Sequence, residues 1–424
     1  MLTRRWVIFL SASMLYFVGY FHRASLTVVV EDLMREFSAS ATSIGFLSSL
    51  YFYPYAAMQI PAGLLIDSLG SKRTLSVFSL TTAIGTMLFA LSPHILLAML
   101  GRALIGLGVS VAFLSAVKLI ASWFDARDFA SLTGILVSIG NVGALFAATP
   151  LALLVDGLGW RLSFAIIASA TFVLTIILWL EVEDAPKQRS SSQSDFDQVR
   201  PSPKERMHPV MGVWRALRSR DFWPAALPPL FFCGSFISMQ GLWGVPFTMQ
   251  VYGISRIDAS IAVMMMAVGF CLGAPFWGVI SDRFVISRKK LYLPGVSFYS
   301  LVWLLVASFW FGKTSIYILF PFLGFFFGVV PMSIVMVKEL FPRRIMGAAT
   351  GSANAFPFIG AALYQLLMGY FLDTYGLVGM VEGVRIFSRD SYQIGFMLCF
   401  VTFLVAMVMA FLIKEPRKSD ALQS

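Results

Sequence analysis

A chain of 424 residues that is 58% hydrophobic and only 13% charged is too apolar for a water-soluble globule, because soluble domains carry about 25% charged residues. Its net charge of +10 would suit nucleic acid or an anionic surface, but the basic residues fall in short connections between apolar runs. That is the signature of membrane topology; it makes the lipid bilayer the solvent and argues against a nucleic-acid partner.

The first apolar stretch follows Arg4 and Arg5 and runs to about Val30, interrupted by His22-Arg23. No small-residue cleavage site precedes that pair, so it reads as an uncleaved spanning helix and not a signal peptide. A spanning helix needs roughly 20 mostly apolar residues. Twelve candidates follow in order: 6–30, 42–66, 74–92, 95–120, 129–154, 161–181, 223–251, 258–280, 291–311, 314–338, 346–372 and 392–413. Several hold proline, which membrane helices tolerate where neighbours re-satisfy the freed backbone groups. Cys233, Cys271 and Cys399 lie singly inside these runs, with no Cys/His cluster, which argues against a disulfide or a zinc site.

With the N-terminus inside, the inner segments hold 22 of the 32 basic residues and the outer connections six, which places both termini in the cytoplasm. Segment 182–222 is Ser-rich and charged, then basic and amphipathic around Val213–Arg218; it reads as a flexible linker followed by a short helix on the inner membrane surface. The expected organisation is therefore all-α: an N-terminal six-helix bundle (1–181), this cytoplasmic linker (182–222), a C-terminal six-helix bundle (223–413) and a cytoplasmic tail (414–424). The expected location is the plasma membrane, as a multi-pass protein of a bacterial inner membrane. The longest outer connection, 373–391, reads as a solvated loop or an ordered cap.

Between the second and third spans stands Gly63-Leu64-Leu65-Ile66-Asp67-Ser68-Leu69-Gly70-Ser71-Lys72-Arg73. A weaker copy, with Gly278, Asp282 and Arg283, follows the eighth span. Together with Arg102 and the glycines Gly106 and Gly108 in the fourth span, and with Gly159-Trp160-Arg161 before the sixth, these motifs resemble those of the major facilitator superfamily of secondary transporters. The resemblance covers essentially the whole chain. It implies two pseudo-symmetric six-helix bundles that alternate access to a site near the bilayer middle, with the Gly/Asp/basic turn as a conformational latch. Physically, Gly63 would let its helix approach a neighbour. Asp67 would attract a helix N-terminus or pair with a cation, Gly70 would allow the tight turn, and Lys72 and Arg73 would anchor the loop at the anionic inner leaflet. The same residues would also serve as a purely topological turn.

An ionisable residue inside a span is costly unless something pairs with it. Arg23 lies roughly 25 Å from the inner end of the first span and Arg102 roughly 10 Å below the outer end of the fourth, at similar depth. Two guanidiniums at one site would bind a carboxylate or phosphate; alternatively Arg102 braces its helix and Arg23 snorkels outward. Tyr16, Tyr20 and Thr27 share Arg23's face, while His22 lies about 100° round the helix. The Tyr16–Leu26 stretch resembles the first helix of the superfamily's organic-anion and sugar-phosphate branches, which implies an anion-binding Arg23. Sugar-phosphate exchangers pair it with an arginine on the seventh helix. Span 223–251 has no charge and offers Gln240, Trp243 and Gln250, so a singly charged organic anion fits better than a phosphate.

Uncharged cargo candidates are Asn141, Asn354, Tyr364, Gln365 and Gln59. Lys118 reads as a snorkelling cation or a lower contact for the anion. No Asp or Glu lies mid-span, so a coupled proton would ride on His22, Glu31, Asp32 or the substrate itself. No P-loop, HExxH or Ser/His/Asp set occurs, which argues against an enzyme and against ATP-driven transport, and no cofactor is implied. The reading is a monomeric secondary active or facilitative transporter of a small organic anion, working by alternating access. Efflux of amphipathic or cationic drugs, or exchange of phosphate or sugar phosphates, stands as the alternative.

Overall fold

The computed structural model describes residues 2–185, 209–283, 287–308 and 312–414. The chain folds as two compact units, 1–200 with 380–385, and 201–379 with 386–424. The first holds α1 (Leu2–Ala24), α2 (Leu26–Phe37), α3 (Ala41–Ala57), α4 (Pro61–Leu69), α5 (Ser71–Ala90), α6 (Ile95–Val109), α7 (Ala112–Trp123), α8 (Phe129–Phe146), α9 (Thr149–Leu158) and α10 (Trp160–Glu181).

Eleven described helical stretches are long and apolar enough to cross a membrane. The difference from the twelve expected lies at 42–66, which is split into α3 and α4 around residues 58–60. Pro54 inside α3 and Pro61 at the start of α4 explain the split. Proline has no N–H to donate, so the helical bond each would make to the carbonyl four residues earlier is missing. Large apolar side chains stand outward, such as Leu96 at 71% exposure and Phe172 at 49%, a surface suited to hydrocarbon and not to water. Inside, Gly106 of α6 lies so close to the Tyr51 carbonyl of α3 that a Cβ there would overlap it, which gives this motif glycine a packing reason.

The second unit holds α11 (Pro209–Arg218), α12 (Phe222–Ala226), α13 (Pro228–Ser238), a π-turn (Met239–Trp243), α14 (Gly244–Tyr252), α15 (Arg256–Arg283), α16 (Arg288–Ser308), α17 (Ile316–Phe327), α18 (Met332–Leu340), α19 (Arg343–Tyr375) and α20 (Arg389–Phe411). One face of α11 packs on α19, with Ala216 fully buried and Gly212 against Ala348. The connection between α19 and α20 is a β-hairpin, β1 (Leu377–Val381) and β2 (Val384–Phe387), turned by Glu382 and Gly383 at φ 48° and 80°. Two successive positive φ values are what a tight hairpin turn requires. Its second strand is tied down where Phe387 N donates to Gln250 Oε1 at 3.2 Å.

Candidate functional site

Arg23 closes the last turn of α1, beside a break at Ser25 whose hydroxyl donates to the His22 carbonyl at 3.3 Å. The guanidinium carbon lies 4.3 Å from the Tyr20 ring centre and 5.7 Å from that of Tyr55. Tyr16 donates to the Tyr20 hydroxyl at 3.2 Å, and Tyr51 stacks with Tyr55 at 6.1 Å. Spacing of four places each tyrosine pair on one helix face. The result is a half-buried cation walled by phenol rings, whose π faces stabilise the charge while the guanidinium fork keeps the geometry a carboxylate needs. Gly140 of α8 rests on the Tyr16 ring, and Asn141 is the next residue of that helix. Its amide Nδ2 is committed to the Val137 carbonyl of its own helix at 3.0 Å.

Arg102 is not arranged as Arg23 is. It is fully buried, lies 5.1 Å over the Tyr51 ring, and donates from Nη1 to the His22 carbonyl at 3.1 Å. It therefore braces the end of α1 that carries Arg23. Its Nε and Nη2 have no hydrogen-bond partner. His22, also fully buried, turns away toward α5, where Nε2 meets Thr86 Oγ1 at 3.2 Å. Glu31 and Asp32 are on α2, and Asp32 lies 4.0 Å from Arg35.

At one end of the same unit, Asp67 Oδ1 and Lys118 Nζ are 2.8 Å apart, and Nζ also donates to the Ile66 carbonyl. The snorkelling expected of Lys118 is thus replaced by an ion pair. Gly70 turns at φ 85°, and Asp184, past the end of α10, caps the next helix by accepting from Lys72 N at 2.9 Å. Lys72 lies 6.0 Å over the Trp179 ring, and Arg73 is exposed. The close approach expected at Gly63 is absent: a Cβ there, as at Gly278, would meet nothing within 4 Å. The side chains of Asp282 and Arg283 lie outside the described residues. At the opposite end of the unit, Arg161 pairs with Glu36 at 2.6 Å and donates to the carbonyls of Ala90 and Ser92, while Trp160 Nε1 donates to Glu36 at 2.7 Å.

In the second unit the π-turn carries Gln240 and Trp243. Trp243 and Tyr364, expected as cargo contacts, both use their polar tips within the bundle. Trp243 is buried, with Nε1 donating to the Gln365 carbonyl at 3.1 Å, and the Tyr364 hydroxyl bonds Thr402. Gln250 accepts from Tyr392 at 3.2 Å as well as from the hairpin. Gln240 and Asn354 are half-buried on their helices.

A family model described as the Major Facilitator Superfamily matches residues 12–255 and 231–424. The chain belongs to that superfamily. It is therefore a multi-pass membrane transporter and not an enzyme. Superfamily relatives include a probable sulfoacetate transporter of Cupriavidus necator, 22% identical over 385 residues, covering 87% of this chain and 88% of the relative. A probable galactarate/D-glucarate transporter of Escherichia coli is 23% identical, with 87% and 88% covered. The crystal structure of a bacterial homologue of the human lysosomal transporter Spinster shares the fold at TM-score 0.73 and 18% identity, over 97% of each chain.

Sequence reasoning found Arg23, Tyr16 and Tyr20 as one cluster but missed Tyr51 and Tyr55. Their four-residue spacing, continued by Gln59, was the available signal. It also missed Glu36 and Asp184, whose partners lie more than a hundred residues away in sequence.

Proposed function

We propose that this superfamily member transports a small organic acid and that Arg23, in its tyrosine wall, takes the acid's carboxylate. The observation that carries the reading is the guanidinium held against Tyr20 and Tyr55 in a half-buried setting. The two relatives described above, named for sulfoacetate and galactarate/D-glucarate, support the chemistry of the cargo. They do not favour drug efflux. The absence of Lys and Arg from 223–251 argues against a sugar phosphate.

In this reading Tyr16, Tyr20 and Asn141 flank the carboxylate and Arg102 positions Arg23. Gln240 and Asn354 supply neutral contacts, and His22, Glu31 or Asp32 carries any coupled proton. Asp67, Gly70, Lys72 and Arg73 form the latch. The chain acts as a monomer in a bacterial inner membrane with both termini cytoplasmic. Bundles 1–181 and 223–413 are joined by the linker 182–222, and 414–424 forms the tail.

Binding and proteoliposome uptake of a panel of carboxylates test the proposal. Arg23→Ala removes the fork and is expected to weaken binding at least about 100-fold, and Arg23→Lys, a point charge, about 10-fold, since charge-assisted bonds contribute roughly 1.5–3 kcal/mol. Unchanged binding of every transported acid in Arg23→Ala refutes it.

A further inference from the structure

Helix α11 of the second unit has one face on α19 and another that neither the latch nor the tyrosine wall uses. Two contacts set its height against the bilayer. Four residues after its end at Arg218, an apolar stretch long enough to span the membrane begins at Phe222. The end of α11 thus lies within about 14 Å of that boundary. Trp223 ties the two together, its Nε1 donating to the Leu217 carbonyl at 2.9 Å. On the packed face, Gly212 lies against Ile345 and Ala348. Those residues fall in the first turns of α19, whose apolar spanning stretch begins at Arg344. Both contacts put α11 where hydrocarbon gives way to headgroups.

The other face carries Met211, Trp214, Arg215 and Arg218, all exposed, with Trp214 at 61%. Their spacing of three, four and seven residues makes one stripe along the helix. Arg220 follows just beyond the helix and is exposed too. The helix contains no acid, and the neighbouring Asp221 is already held by Lys414 at 2.8 Å. Among the described residues no carboxylate pairs with Arg215, Arg218 or Arg220. An indole prefers the membrane–water boundary, and a guanidinium fork matches the geometry of a phosphate.

We infer that this face of α11 binds the phosphodiesters of anionic phospholipids, with Trp214 seated among the headgroups. A zwitterionic headgroup offers the same phosphate but carries its own cation, so three uncompensated arginines select the lipid with net negative charge. Each basic residue near an anionic surface favours it by about fivefold. The inference is independent of the cargo.

The probe is the indole itself. The full-length chain and its Trp214→Phe variant are reconstituted in phosphatidylcholine vesicles, and the difference in their emission isolates Trp214. Phosphatidylglycerol brominated on the upper acyl chain is then titrated in, with equally brominated phosphatidylcholine in parallel. The expected result is half-maximal quenching at a phosphatidylglycerol fraction at least about 10-fold below that of phosphatidylcholine. Arg215→Gln with Arg218→Gln should cut this preference to within about 3-fold, while Arg215→Lys with Arg218→Lys keeps most of it, because charge survives without the fork. Raising salt from about 0.05 to about 0.5 M should collapse the preference in the unmodified chain, a test that needs no variant of the arginines. Equal quenching by the two lipids overturns the inference. So does the absence of quenching by either, because the face would then be covered by protein. A preference that survives the glutamine substitutions or the salt also overturns it.

Discussion

Replacing Arg102 by methionine separates what that residue does for the fold from what it does for transport. The side chain is fully buried and makes one hydrogen bond, to the His22 carbonyl at 3.1 Å, and one cation–π contact, with Tyr51 at 5.1 Å. Losing the charged bond costs about 1.5–3 kcal/mol and losing the ring contact about 1–2 kcal/mol. Against that, Nε and Nη2 are buried without partners, each a penalty of about 1–3 kcal/mol that methionine removes. The buried charge itself is also relieved. The His22 carbonyl is not orphaned, because Ser25 Oγ still donates to it. The balance falls between no change and a gain of about 2 kcal/mol, which for a unit of this size is a rise of up to about 6 °C. A thiol-reactive dye suits the melt, since Cys233 and Cys399 are buried. Uptake, in contrast, should fall at least about 10-fold, because the end of α1 that presents Arg23 loses its brace. A drop in melting temperature beyond about 6 °C would refute the reasoning, since it would require partners on the two idle N–H groups.

Two further outcomes follow from the charged clusters at the ends of the first unit. Arg161→Lys keeps the charge but loses the fork that serves Glu36, Ala90 and Ser92 at once; a loss of about 2 kcal/mol is expected, and a melt unchanged within about 1 °C would show that the clamp does not stabilise these helix ends. Asp67→Asn leaves Lys118 bonded to the Ile66 carbonyl, and with Asp67's side chain 58% exposed the stability change should stay under about 1 kcal/mol. Spectroscopic distances across the membrane should nonetheless show altered conformer populations, and identical distance distributions would remove the latch role.

The sequence by itself determined the solvent, the helices and much of the superfamily assignment. Hydropathy suffices for the first two because a bilayer is a uniform medium in which every backbone group must be bonded within its own helix. It also determined local faces: Tyr20 three residues before Arg23 had to share its side, as the 4.3 Å ring contact bears out. The split of the second span was half legible in Pro54 and Pro61. Tertiary structure alone decided the partners. Lys118 is 51 residues from Asp67, and Arg161 is 125 from Glu36. Whether such groups meet depends on the axial rotation and vertical register of separate helices, which no local period encodes. The same holds for Arg102, which the sequence placed at Arg23's depth but which packing turned onto a carbonyl of α1.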